Sequence, residues 1–235
     1  MRVVFCAGLG LPASVWAPVV DRLSVPGEVV LLDRPGLGRL AHGQSRPLVL
    51  RAEVERIVEA VLAVGDAPAV LVGHSMAGFL VEATARLHPE LTAGLVLVDG
   101  SVEKGLRPSG SIRTTAHAVA ASAARRLHLG AATEALIAEN CSFPDLAHDL
   151  EHLRHTHLLP EIPVEVLAAV RREWWPPNRA WLRRQRRLCT TLGANSVRPE
   201  DARIELEIVW GSGHLVMRDA PDVVAAAITR LHAGS

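Results

Sequence analysis

Gly73-His74-Ser75-Met76-Ala77-Gly78 is the stretch that decides how this chain reads. The apolar run Ala69-Val70-Leu71-Val72 leads into it, and a segment of helical patterning, Phe79 to Leu87, follows. A strand, a sharp turn of small residues with serine at its apex, and a helix make the layout of a nucleophile elbow. The turn holds the serine in strained backbone geometry. Its neighbours must be small because a Cβ there would collide with the adjoining strand and helix. Ser75 Oγ then stands clear of the sheet, and N–H groups at the helix start face any oxyanion that forms. The fifth position of the usual G-x-S-x-G is Ala77, with the glycine one place later at Gly78. Alanine is the smallest side chain, so the turn survives the change. A Gly/Ser-rich turn without chemistry is the bland alternative, and the flanking strand and helix weigh against it.

Outward from the elbow, strands and helices alternate. Stretches rich in apolar residues at 2–6, 29–33, 69–73, 94–99, 165–170 and 205–210 read as buried strands. Helical spacing is present at 15–23, 52–64 and 219–231, the last with Pro221 in its first turn. This alternation predicts an α/β fold, a mostly parallel sheet with helices on both faces. Residues 101–163 break the rhythm: they are rich in Ala, His and Arg, and 113–139 and 145–158 look helical. A helical insertion just after a strand end sits over the edge where such sheets bind ligands. The expected organisation is a core from 1–100 and 164–235 with a helical cap at 101–163.

A chain of 235 residues makes one large domain, or one with an insertion. Its formal net charge is zero, which points away from nucleic acid and from anionic membrane surfaces as partners. Seven arginines cluster between Arg171 and Arg187 and read as a solvated helix face. Cys6, Cys141 and Cys189 are odd in number and far apart, so a disulfide framework is not expected and a reducing cytoplasm fits. The apolar start, Val3 to Leu11, reads as a strand running into a glycine loop rather than a signal peptide, because no small-x-small cleavage site follows. No apolar run reaches the eighteen or so residues of a membrane helix.

Taken in order, these residues resemble the α/β-hydrolase fold over nearly the whole chain. Ala7-Gly8-Leu9-Gly10, with Trp16 downstream, is similar to the family's oxyanion loop. Asp33-Arg34-Pro35-Gly36-Leu37-Gly38 resembles the loop after the next strand, and Gly211-Ser212-Gly213-His214 stands where the family keeps its catalytic histidine. Two departures stand out. Ala7 occupies the place of a usual histidine, and the first strand corresponds to the family's third. The resemblance therefore implies about six strands, without the first hairpin. It also implies an oxyanion hole built from the backbone N–H groups of Leu9 and Met76.

A serine hydroxyl needs a base near neutral pH, and His214, after the last strand, is the candidate. The acid that would orient it stays open between two residues. Asp99, at the end of the strand after the elbow, is preferred. Glu173, after the penultimate strand, is second. The resemblance then implies acyl transfer on a carboxylic ester, lactone or thioester of small to medium size, with no cofactor. Two other readings stand beside it: lyase or cyclase chemistry in which Ser75 and His214 move protons, and ligand binding without catalysis. Trp174 and Trp175 are candidates either for a substrate-facing apolar mouth or for packing the cap onto the core. His148-Asp149-Leu150-Glu151-His152 matches H-x-x-E-H, and its histidines would share a helix face; a solvated face is preferred to a metal site there.

Overall fold

Six strands lie parallel in a single sheet of order β2-β1-β3-β4-β5-β6. They are β1 (Arg2–Cys6), β2 (Glu28–Leu32), β3 (Ala69–His74), β4 (Thr92–Val98), β5 (Val164–Val170) and β6 (Ile204–Trp210). The computed structural model describes residues 2–24, 27–42, 46–102, 119, 123, 130–172 and 174–233. β3 and β5 are buried along their whole length, which is why they read as largely apolar runs; Glu165, the charged residue within β5, is paired with Arg230. β2 and β6, expected as buried strands, are instead partly exposed because they lie at the two sheet edges, and β6 accordingly alternates Ile204-Glu205-Leu206-Glu207-Ile208.

Helices cover both faces. α2 (Leu50–Leu62), α3 (Ala77–Leu87), α4 (Ala131–Thr156) and α5 (Pro176–Ala194) pack on one; α1 (Ala17–Val20), α6 (Val216–Asp219) and α7 (Pro221–Ala233) pack on the other. The period-two pleat divides β4 between them: Leu95 and Leu97 face the first core, Val96 and Val98 the second. Each such side chain stabilises the fold by roughly 1.5–3 kcal/mol relative to exposure.

Three elements depart from the expected boundaries. The two helices expected at 113–139 and 145–158 are replaced, over the described residues, by the single helix α4, which runs through Pro144. Nearby, Ser142 Oγ donates to the Ala138 carbonyl and accepts the Leu48 N–H, tying the helix to a loop of the core. Residues 113–130 of the first expected helix lie almost entirely outside the described residues. The closing helix is split at Ala220, because Pro221 lacks an N–H and starts α7 instead. The segment at 15–23 is a 3₁₀ turn, Ala13–Trp16, followed by α1. In α5 the arginines 183, 184, 186 and 187 are exposed, while Gln185, Leu188 and Leu192 are buried.

The carboxyl ends of the strands share one edge. The chain goes from β1 to β2 on one side and returns to β3 on the other. The crevice between the β1 and β3 ends is thus a topological switch point, where open α/β sheets bind ligands.

Candidate active site

Ser75 follows β3 with φ 52°, the left-handed region that L-residues avoid. Its N–H donates to the Val98 carbonyl at 3.1 Å, and its own carbonyl accepts the N–H groups of Gly78 and Ser101. Gly73 is required here. A Cβ on it would lie 2.7 Å from the Ala77 carbonyl oxygen and from Val81. Gly78 is different: the nearest atom to its missing Cβ is 3.6 Å away, so the steric demand falls on Gly73 and on the small side chain of Ala77.

His214 arrives from the turn after β6 and puts Nε2 3.1 Å from Ser75 Oγ. Its Nδ1 lies 2.6 Å from Asp99 Oδ2. A carboxylate only accepts, so Nδ1 carries the proton and Nε2 is left to accept from the serine hydroxyl. Asp99 is buried, whereas about half of the His214 side chain is open to solvent. The other carboxylate oxygen, Oδ1, accepts the Ala169 N–H at 2.9 Å and the Trp181 indole N–H at 2.6 Å. Three donors thus fix the carboxylate. The second candidate acid, Glu173, lies outside the described residues.

A second imidazole supports the first. His74 is buried, and its Nε2–H donates to the His214 carbonyl at 2.8 Å. The two rings are 4.6 Å apart. Burial first, and the nearby His214 second, push the His74 pKa down to about 4, so it stays neutral.

The loop after β1 faces the elbow closely. A Cβ on Gly8 would lie 2.5 Å from His74 Nδ1 and 3.1 Å from Ser75 Cβ. Among the described residues, the backbone N–H groups of Leu9 and Met76 donate to no protein acceptor. Leu9 belongs to the loop after β1 and Met76 directly follows Ser75 after β3; the ends of these two strands border the switch-point crevice.

Arg34 and Glu139 hold this loop from behind. They form a buried pair with N–O distances of 2.6 and 3.0 Å. The Arg34 guanidinium also donates to the carbonyls of Ala7 (2.6 Å) and Gly8 (2.7 Å), and Glu139 Oε2 accepts the Gly10 N–H at 2.7 Å. Asp33 beside it accepts the Ala13 N–H at 2.7 Å and the Arg39 N–H at 3.0 Å.

Trp174 and Trp175 are 61% and 48% exposed, so neither packs a helix onto the core. Their rings meet edge to face at 5.8 Å, and the Arg172 guanidinium sits 5.8 Å from the Trp174 ring centre. A cleft of about 310 Å³ opens on the acid side of His214, walled by Asp99, Arg171, Asn178, Trp181 and Gly213. His148 and His152 lie on the exposed face of α4. Among the described residues, no group of three or more His, Cys, Asp or Glu could hold a metal ion.

The sequence groups Trp181 with Trp174 and Trp175 as a substrate-specificity candidate, and the structure instead sets its indole N–H on Asp99; the roles of His74 and of the Arg34–Glu139 pair had no reading in the sequence. Trp181 had a signal, since an indole two turns before the buried Leu188 stands on the inward face of its helix. Nothing in the sequence linked Arg34 to a glutamate 105 positions away.

The sequence pattern of the alpha/beta hydrolase family matches residues 3–227. Over 99 residues the chain is 34% identical to the pimeloyl-[acyl-carrier protein] methyl ester esterase of Yersinia enterocolitica, covering 42% of this chain and 36% of that one. Over 102 residues it is 28% identical to the (E)-2-((N-methylformamido)methylene)succinate hydrolase of Acinetobacter baylyi, covering 42% and 37%. The chain spans little more than a third of the length of each of these relatives. An esterase from Thermogutta terrifontis shares the fold with a TM-score of 0.71 at 18% identity, over 98% of this chain and 88% of that one.

Proposed function

The chain belongs to the alpha/beta hydrolase family, and on that premise we propose that it is a serine hydrolase working through an acyl-enzyme on Ser75. The observation that carries the proposal is the hydrogen-bonded line Ser75 Oγ, His214 Nε2, His214 Nδ1, Asp99 Oδ2, at 3.1 and 2.6 Å. In the proposed cycle His214 takes the hydroxyl proton as Ser75 Oγ attacks an acyl carbon. Asp99 holds the tautomer and stabilises the imidazolium. The N–H groups of Leu9 and Met76 receive the oxyanion. His214 then protonates the leaving group, and a water activated by the same imidazole releases the acyl group.

The proposed substrate is a small to medium carboxylic ester, lactone or thioester. The Yersinia relative is named for a methyl ester and the Acinetobacter relative for a succinate derivative. Both names fit attack on an acyl carbon. Trp174 and Trp175 offer exposed apolar surface to the substrate, and α4, inserted between β4 and β5, acts as the cap. No helix among the described residues is long and apolar enough to cross a membrane; a cytoplasmic place is proposed from the odd number and wide spacing of the cysteines in the sequence.

The test is hydrolysis of short and medium p-nitrophenyl esters. Wild type turns over, and Ser75→Ala and His214→Ala lose on the order of 10⁴-fold in kcat. Unchanged turnover in Ser75→Ala contradicts the proposal.

A further inference from the structure

We propose that Arg34 and Glu139 are positioning residues for the oxyanion loop, so that helix α4 helps to build the catalytic site as well as cover it. The inference rests on the acyl-transfer reading of Ser75.

Residues 7–10 leave β1 and have no ladder partner to fix them. Four contacts replace it. Arg34 takes the carbonyls of Ala7 and Gly8, Glu139 takes the Gly10 N–H, and the Leu11 N–H turns back to the Gly8 carbonyl at 3.1 Å. The Leu9 N–H between them is left without a protein acceptor among the described residues. A guanidinium suits this task because its donors are rigid and planar, so both carbonyls and both carboxylate oxygens are engaged at once. Glu139 belongs to α4, and Gly10 meets Leu136 of the same helix: a Cβ on Gly10 would lie 2.6 Å from Leu136 Cδ1. The direction of the Leu9 N–H therefore depends on α4 being seated.

A buried ion pair can equally be mere glue between a helix and a sheet. The two roles part when both charges are removed together. Replacing a buried pair with apolar residues of similar volume often leaves stability unchanged. The double variant Arg34→Met/Glu139→Leu keeps the packing and releases the loop. The variant to compare with it is Arg154→Met. Arg154 pairs with buried Glu82 and anchors the far end of α4 without touching the loop.

The experiment measures kcat and KM for a p-nitrophenyl ester, affinity for an alkyl boronic acid, and hydrogen exchange of the 8–11 amides. The boronic acid forms a tetrahedral adduct on serine and places an oxygen where the oxyanion forms. For the double variant, the expected result is a loss of roughly tenfold to hundredfold in kcat with KM nearly unchanged. Boronate affinity falls by a similar factor, and loop exchange speeds up. Arg154→Met lowers the melting temperature and leaves boronate affinity within twofold. Should the double variant not fold, Arg34→Lys supplies the same reading, since it keeps the charge and loses the fork. A folded double variant with kcat and boronate affinity within twofold of wild type overturns the inference. If wild type neither hydrolyses the esters nor forms a Ser75-dependent boronate adduct, the acyl-transfer reading fails first and this inference falls with it.

Discussion

Ser75 and Asp99 end neighbouring parallel strands, and both hold a left-handed backbone, φ 52° and 44°. Among the described residues they alone do so without being glycine. Each such residue costs about 1–3 kcal/mol and persists only where its surroundings over-determine it. The surroundings here are the ends of the sheet ladders. Ser75 N–H is held by the Val98 carbonyl and Asp99 N–H by the Leu167 carbonyl at 2.7 Å. Stability spent on these two turns places a hydroxyl and a carboxylate on opposite sides of one imidazole.

The elbow makes its own prediction. Gly73→Ala drives a methyl to 2.7 Å from the Ala77 carbonyl oxygen, and neither backbone segment can yield cheaply. Chemical denaturation should record a loss of about 1–3 kcal/mol, with loss of activity. Gly78→Ala should be neutral within about 0.5 kcal/mol, because its nearest neighbour is an ordinary contact away. Equal effects of the two changes would count against the described turn.

Trp181→Phe keeps an aromatic ring but loses the five-membered half of the indole and with it the N–H that bonds Asp99 Oδ1. Ala169 N–H remains as a donor to that oxygen. A hydrogen bond to a charged group is worth about 1.5–3 kcal/mol, and the lost ring atoms add a packing term to the stability change. We expect kcat/KM for an ester to fall by roughly tenfold, through looser placement of the carboxylate against His214. Wild-type kinetics in this variant would show that Trp181 does not position the acid.

His74 links stability to pH. Its folded pKa lies near 4, below the ordinary histidine value of about 6.5. Between these values the unfolded chain binds the proton and the folded chain does not. Stability is therefore full above about pH 6.5 and falls as pH drops toward 4, by roughly 3 kcal/mol. Urea melts at pH 7 and pH 4.5 measure the fall for wild type. His74→Gln should lose much of it; an unchanged slope would mean that His74 titrates as it does in the unfolded chain.

Glu82 titrates in a different window. Burial pushes its carboxyl up, and Arg154 and Arg86 together outweigh burial and hold it below the usual carboxylate value. Its contribution is present above the unfolded pKa and is lost as pH falls through the lower folded one. Melting curves below about pH 4.5 should flatten in Glu82→Gln relative to wild type, with the stability at pH 7 reduced. A steeper acid slope in that variant would reverse the assignment.

The parts legible in the sequence were those with local signatures. Parallel strands are buried on both faces, so β3, β4 and β5 were visible as apolar runs. Ser75 and His214 stood at strand ends, where topology alone brings them to one edge. Asp99 stood at another such end, but sequence could not weigh it against Glu173, because the choice depends on which carboxylate the His214 ring meets in space. Non-local contacts were not legible at all. The Arg34–Glu139 pair spans 105 positions and carries no periodicity. The long helix α4 was hidden by Pro144, which ordinarily ends a helix.

The central claim is the covalent step on Ser75. Its most direct test is intact-mass spectrometry of protein quenched in acid during turnover of a p-nitrophenyl ester, with peptide mapping of any adduct. The account predicts a mass gain equal to the acyl group, located on Ser75 and absent from Ser75→Ala. Steady turnover by Ser75→Ala, or an acyl group carried by another residue, would contradict it.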